Sequence, residues 1–191
     1  MSMTYSLCPE VADLLSPRRF YSPTQILNNP KVVPDAPGVY GWWLDSGLRG
    51  VPTSESETID NRWLLYVGIA RSRASSPDRP ARRTLRDRLK NHCRGPIATS
   101  TFRYTLCALL KEQLNLTSYR EGRKLRLPLD QEITLTNWMA DHAVAAWVEN
   151  SKPWELEDFL IKSGPRLPLN IMGSTDPFRI KLTELRRALR T

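Results

Sequence analysis

Apolar residues along the chain fall into two kinds of run, and each kind predicts a different element. Gly38–Leu44 (GVYGWWL) and Trp63–Ala70 (WLLYVGIA) are short and rich in aromatic and β-branched residues, which predicts strands. The polar stretch 45–62 between them, with Gly, Pro, Ser and acids, predicts an elongated hairpin loop. Over Thr84–Cys93 the apolar residues Leu85, Leu89 and Cys93 recur at helical spacing and predict a helix with a narrow stripe. Helices are also predicted over Thr101–Leu114 and Ile133–His142. Ala143–Glu149 (AVAAWVE) predicts a third strand, although its alanines leave a helix open. Pro153 suits a first helical turn, and Gly164-Pro165 ends that helix. Leu182, Leu185 and Leu189 mark a basic amphipathic C-terminal helix. Prolines at 9, 17, 23, 30, 34 and 37 give the first segment the character of a packed arm. This order predicts an α+β domain, a small three-stranded antiparallel sheet flanked by helices. Its parts are an arm over 1–36, a domain over 37–176 with a helical insertion at about 97–142, and a C-terminal helix over 177–191.

Length and composition narrow the class. A chain of 191 residues suits one well-packed domain, and 40% hydrophobic residues with six tryptophans argue for a folded one. No apolar run approaches the ~18 residues a bilayer requires, so no membrane is expected. The N-terminal residues lack the pattern of a secretory signal. Three cysteines (Cys8, Cys93, Cys107) without a CxxC pair argue against a disulfide framework or zinc finger and fit a reducing cytoplasm. The net charge of +8 is concentrated between Arg71 and Arg94, where nine cations face only Asp78 and Asp87. A clustered basic segment is the footprint of a polyanion partner, and equally the face of a solvated helix.

Polar groups that interrupt apolar patterns are the candidates for chemistry, because burying them costs energy. On the helix after Pro153, Glu155, Asp158 and Lys162 share a solvent face, whereas Glu157 falls in the apolar arc between Leu160 and Ile161. Such a carboxylate either binds a metal or pairs with an arginine. Arg88 and His92 lie one helical turn apart beside the apolar stripe, able to hold a phosphate and move a proton, though basic helices also produce such pairs by chance. Arg86 and Lys90 flank the other side as candidate phosphate-backbone contacts. Period-two alternation puts Tyr40, Trp42 and Leu44 on one face and Leu64, Tyr66 and Gly68 on one face. Paired as a hairpin, the two strands bring Tyr40 and Tyr66 to the same side, as packing residues or as part of a site.

These fragments, taken in order, resemble the motif set of the GIY-YIG nuclease superfamily. Gly38-Val39-Tyr40 and Tyr66-Val67-Gly68 are similar to its two signatures, with Val replacing Ile in each. Arg88 followed by His92 resembles its arginine helix, especially in the restriction-endonuclease branch. Glu157 with Leu160 and Ile161 resembles its acidic helix, and Pro168-Leu169-Asn170 its closing P-x-N. The loop between Tyr40 and Tyr66 is longer than in compact members. The 100–138 stretch looks like that of a bacterial subgroup of predicted nucleases.

The resemblance implies a Mg²⁺-dependent DNA endonuclease, with Mn²⁺ as a substitute, acting in restriction or phage defence. A structure-specific repair or recombination nuclease and a catalytically silent DNA-binding module are the alternatives. In this reading Glu157 coordinates the metal and Arg88 binds the scissile phosphate. Tyr40 or Tyr66 activates water with His92 as proton acceptor, and nearby cations lower the tyrosine pKa. Asn170 positions the acidic helix or a phosphate oxygen. Arg82, Arg83, Arg86, Lys90 and Arg94 contact DNA, while Gly38 and Gly68 serve the backbone. A dimer is one route to double-strand cleavage.

Overall fold

The computed structural model describes residues 9–70 and 83–190. Its centre is a four-stranded antiparallel sheet in the order β2-β3-β1-β6, formed by β1 (Gly38–Leu44), β2 (Thr58–Ile59), β3 (Arg62–Ala70) and β6 (Ala143–Glu149). Among the described residues seven α-helices surround it: α1 (Pro9–Leu15), α2 (Pro23–Asn28), α3 (Leu85–Arg94), α4 (Thr101–Leu110), α5 (Leu129–His142), α6 (Pro153–Ser163) and α7 (Phe178–Ala188). The α+β reading therefore stands, with one short strand added. Asp60 and Asn61 both take positive φ between Ile59 and Arg62, a two-residue turn that Asp and Asn tolerate, and it folds the end of the predicted loop back as β2.

Strand β1 is buried at all seven positions because helices cover both faces of the sheet. Tyr40, Trp42 and Leu44 enter a larger core with residues of α3, α4 and α5. Val39 and Trp43 enter a smaller one with Leu14 of α1 and Leu156 and Leu160 of α6. Strict alternation fails on β3. The register slips between Trp42↔Tyr66 and Trp43↔Leu64, leaving Leu65 as the extra residue of a bulge. Leu64 consequently joins the smaller core, while Leu65 and Tyr66 both join the larger. The tyrosine keeps the face that alternation predicts; Leu64 does not share it.

Three further differences concern the insertion and its neighbour. The helix predicted to Leu114 ends at Leu110, and the one predicted from Ile133 begins at Leu129, behind Pro128. Between them lies an unpredicted hairpin, β4 (Tyr119–Glu121) and β5 (Lys124–Arg126), turning at Gly122 with φ 60°. Ala143–Glu149 is a strand, and its small Ala145 lets Tyr21 bridge the outer edge through two backbone hydrogen bonds of 3.0 and 2.9 Å.

Candidate active site

The larger core contains a polar seam. The Tyr40 hydroxyl lies 2.6 Å from Nε2 of His92, a contact between the middle of β1 and the third turn of α3. Nδ1 of His92 lies 2.7 Å from the Ser100 hydroxyl, which also caps α4 by accepting the Arg103 N–H at 3.1 Å. All three side chains are almost completely buried. Arg88, one turn before His92, reaches the Tyr40 hydroxyl at 3.5 Å, and its Nε is buried with no partner among the described residues. Tyr66 sits beside Tyr40 with ring centroids 6.5 Å apart and the rings tilted by 38°. Space for this arrangement comes from Gly68, where a Cβ would stand 2.5 Å from the Tyr40 hydroxyl oxygen. Gly38 is required for a different reason, because a Cβ there would collide with the Val148 carbonyl of β6 and with Leu85.

Burial dominates the electrostatics. It holds His92 well below the usual imidazole value, with the Arg88 and Arg103 cations acting in the same direction, so the ring is neutral. It raises Tyr40 despite the opposing Arg88 charge, and raises Tyr66 still further. Arg88 does pull both tyrosines down, as expected, but desolvation of the phenolate outweighs that one guanidinium within the protein itself. Glu157 on α6 faces the same seam. Burial lifts its carboxyl from 4.5 to about 7, Arg88 pulling the other way, and no described residue hydrogen-bonds or ion-pairs to it. Its neighbours Glu155 and Asp158 are tied to Lys152 and Lys162 at 3.3 and 2.8 Å.

Tyr66 and Glu157 line a cleft of about 610 Å³, closed on its far side by Arg186, Arg187 and Arg190 at the end of α7. Tyr40, Tyr66, Arg88, His92 and Glu157, scattered over 118 positions from 40 to 157, therefore converge on one place. Asn170 adjoins the cleft, and its amide accepts the Val67 N–H and donates to the Val67 carbonyl, both at 2.9 Å. It clamps β3 at the residue next to Tyr66, a contact with the strand and not with α6.

The expected DNA contacts divide. Arg83, Lys90 and Arg94 are exposed. Arg86 is not available, since its Nε donates to the carbonyls of Pro30 and Val33 at 3.2 and 3.0 Å and its head pairs with Asp35 at 3.4 Å. It fastens α3 to the N-terminal arm. Arg82 lies outside the described residues, as does Cys8. Cys93 and Cys107 are buried with thiols pushed up to about 12, inert core residues. No pattern along the chain singles out Ser100 or the arginines at the end of α7. A basic C-terminal helix was visible, but not where it lands.

The family model described as the GIY-YIG catalytic domain matches residues 38–188, which spans every residue of the seam and all of the cleft lining but Arg190. The chain belongs to the GIY-YIG nuclease superfamily. Among curated proteins and among solved structures no match was found. As a GIY-YIG protein its domain is a nuclease domain, and the motif order legible in the sequence is the order in which the fold assembles the site. No helix of the described residues is long and apolar enough to cross a membrane.

Proposed function

We propose that this GIY-YIG protein is a Mg²⁺-dependent DNA endonuclease of the cytoplasm, working in restriction or phage defence. The observation that carries the reading is the pairing of two unsatisfied opposite charges at one seam: Glu157 without a partner and Arg88 with an orphaned Nε. A phosphate at Arg88 and a cation at Glu157 would satisfy both groups. Resemblance of Arg88 and His92 to the restriction branch supports the biological setting.

The donor set fits the metal. Among the described residues there is no cluster of three or more His, Cys, Asp or Glu, and Glu157 is the one carboxylate lining the cleft. A single carboxylate suits Mg²⁺, which keeps most of its waters, and does not suit zinc, which prefers Cys and His. Glu157 would hold the cation, which when bound supplies charge stabilisation at the phosphoryl and leaving oxygens.

The protein's own groups handle the proton and the phosphate. Arg88 grips the scissile phosphate through its free donors. Tyr66, on the cleft wall, takes the proton of the attacking water while passing its own to Tyr40. Tyr40 in turn passes its proton to the neutral Nε2 of His92, whose Nδ1–H is held by Ser100. The water oxygen forms the new P–O bond, the bridging P–O bond breaks with its electron pair on the leaving oxygen, which takes a proton from solvent, and the proton lost by the water resides on the imidazole until it is released to solvent. Such a relay never requires a standing phenolate, so the raised tyrosine pKa values do not oppose it. Burial and the Arg88 and Arg103 cations do oppose a proton on His92, and the anionic phosphate bound at Arg88 would offset that charge.

Incubating the protein with plasmid, linear duplex and single-stranded DNA, in Mg²⁺ or EDTA, tests the proposal. Cleavage in Mg²⁺ and none in EDTA is expected. Full activity in EDTA contradicts the metal role, and binding without cleavage under every condition favours the silent DNA-binding module.

A further inference from the structure

The cleft does not end at the catalytic seam. Thr101, Arg186 and Arg190 line both it and a second depression of about 390 Å³, whose other wall is the unpredicted hairpin β4–β5 with Arg120, Arg123 and Lys124. No carboxylate lines that second depression among the described residues. The hairpin's own acid, Glu121, is paired with Arg126 at 3.0 Å.

This surface is built, not incidental. Tyr104 of α4 presents its ring to the Arg186 guanidinium, 4.3 Å from the centroid, and its hydroxyl donates to the Arg186 carbonyl at 2.7 Å. The same hydroxyl accepts from Arg190 Nε at 3.0 Å. One tyrosine of the insertion therefore fixes two arginines of α7 side by side, in an order that like charges adopt only at a cost. The hairpin is tied to the same helix end, Ser118 donating to the Leu189 carbonyl at 2.7 Å and Arg120 to that of Arg190 at 3.3 Å. Insertion and C-terminal helix thus form one rigid basic strip that starts at the Glu157 cleft.

We propose that this strip is a track for the sugar-phosphate backbone of the cleaved DNA strand. Arg186 and Arg190 hold phosphates adjacent to the scissile one, and hairpin β4–β5 carries the strand onward through Arg120, Arg123 and Lys124. The identity of the polyanion rests on the nuclease reading above; the existence of the track rests on its geometry and charge.

The test measures binding alone. Affinity for a short labelled duplex is followed against salt concentration in EDTA, for the parent, Arg120→Gln/Arg123→Gln/Lys124→Gln, and a control, Lys31→Gln/Lys152→Gln/Lys162→Gln, with the same loss of charge. All three hairpin positions are exposed, and Arg123→Gln/Lys124→Gln is a second variant that spares the Arg120 contact with α7. Each phosphate contact contributes about 0.9 to the slope of log K against log salt. The hairpin triple should lower the slope by about 2 to 3 and the double by about 2, with the control unchanged. Equal slopes for parent and hairpin variants, equal loss in the control, or no binding by the parent overturns the track. Should the parent bind with the expected slopes but cleave nothing in Mg²⁺, the track stands and the hydrolytic reading falls.

Discussion

The two faces of the central sheet are made from the same strands and bury different chemistry. Toward α1 and α6 the sheet presents Val39, Trp43, Leu64 and Val67, packed against Leu14, Leu156 and Leu160. Toward α3 and α4 it presents Tyr40 and Tyr66, and between the hydrocarbon groups run the hydroxyls, the His92 ring and the Ser100 cap. A core needs no such seam to be stable, and each buried polar atom costs free energy until it is paired. The plain face shows what the fold requires; the seam shows what has been added to it. Substitutions on the two faces should therefore fail in opposite ways.

The largest effect is expected at the proton relay. Tyr40→Phe and Tyr66→Phe should each lower kcat by about 10²–10⁴-fold, the range of general acid–base catalysis. Because they break one chain, the double variant should be no slower than either single one. Single-turnover cleavage rates decide this; multiplying losses would mean two independent roles. On the plain face Leu14→Ala should remove about 2–5 kcal/mol of stability in denaturant unfolding, while the folded protein keeps its kcat. A smaller effect belongs to Ser100, which holds the His92 ring without touching substrate. Ser100→Gly keeps a tolerable N-cap but leaves the buried Nδ1 of His92 without its partner, so stability should fall by about 1–3 kcal/mol. Loss of the Nδ1 hydrogen bond, about 1 kcal/mol, should lower kcat about five- to tenfold with KM unchanged. A changed KM, or a kcat unchanged in the folded variant, would make Ser100 merely structural.

How much of this was legible follows the same division. The tyrosines, the Arg88–His92 pair and Glu157 each break a hydrophobic pattern, and a pattern break survives in the sequence whatever surrounds it. Placement of Glu157 in the apolar arc of α6 agrees with its half-buried position on the cleft wall, between the more exposed Glu155 and Asp158. What escaped detection has no periodic signature. The β4–β5 hairpin is short and largely exposed, so neither face alternates. The bulge at Leu65 depends on pairing with β1, a partner that the strand's own residues do not encode. Arg86 and Arg83 read alike along the chain, yet tertiary contacts with Pro30, Val33 and Asp35 engage Arg86 and leave it only partly exposed. Arrival of α7 at the cleft is likewise a long-range fact, fixed through Tyr104.

That Glu157 is a ligand-binding carboxylate held at the expense of the fold is tested most directly by Glu157→Gln beside Glu155→Gln, each followed by unfolding without metal and by cleavage with Mg²⁺. The folded carboxyl titrates at about 7 against 4.5 ordinarily, so it favours folding below the lower value and loses that contribution as pH rises through the higher. Above pH ~7 the buried charge is therefore a burden, and Glu157→Gln should stabilise the protein by about 1–3 kcal/mol, a gain that fades toward acid. Cleavage by the same variant should fall by about a hundredfold or more, since ~1.4 kcal/mol of barrier is already tenfold. Glu155→Gln, whose side chain is exposed and pairs only with Lys152, should change neither quantity appreciably. A Glu157→Gln protein that is less stable at alkaline pH, as loss of a structural ion pair would make it, or that cleaves like the parent, would contradict the assignment.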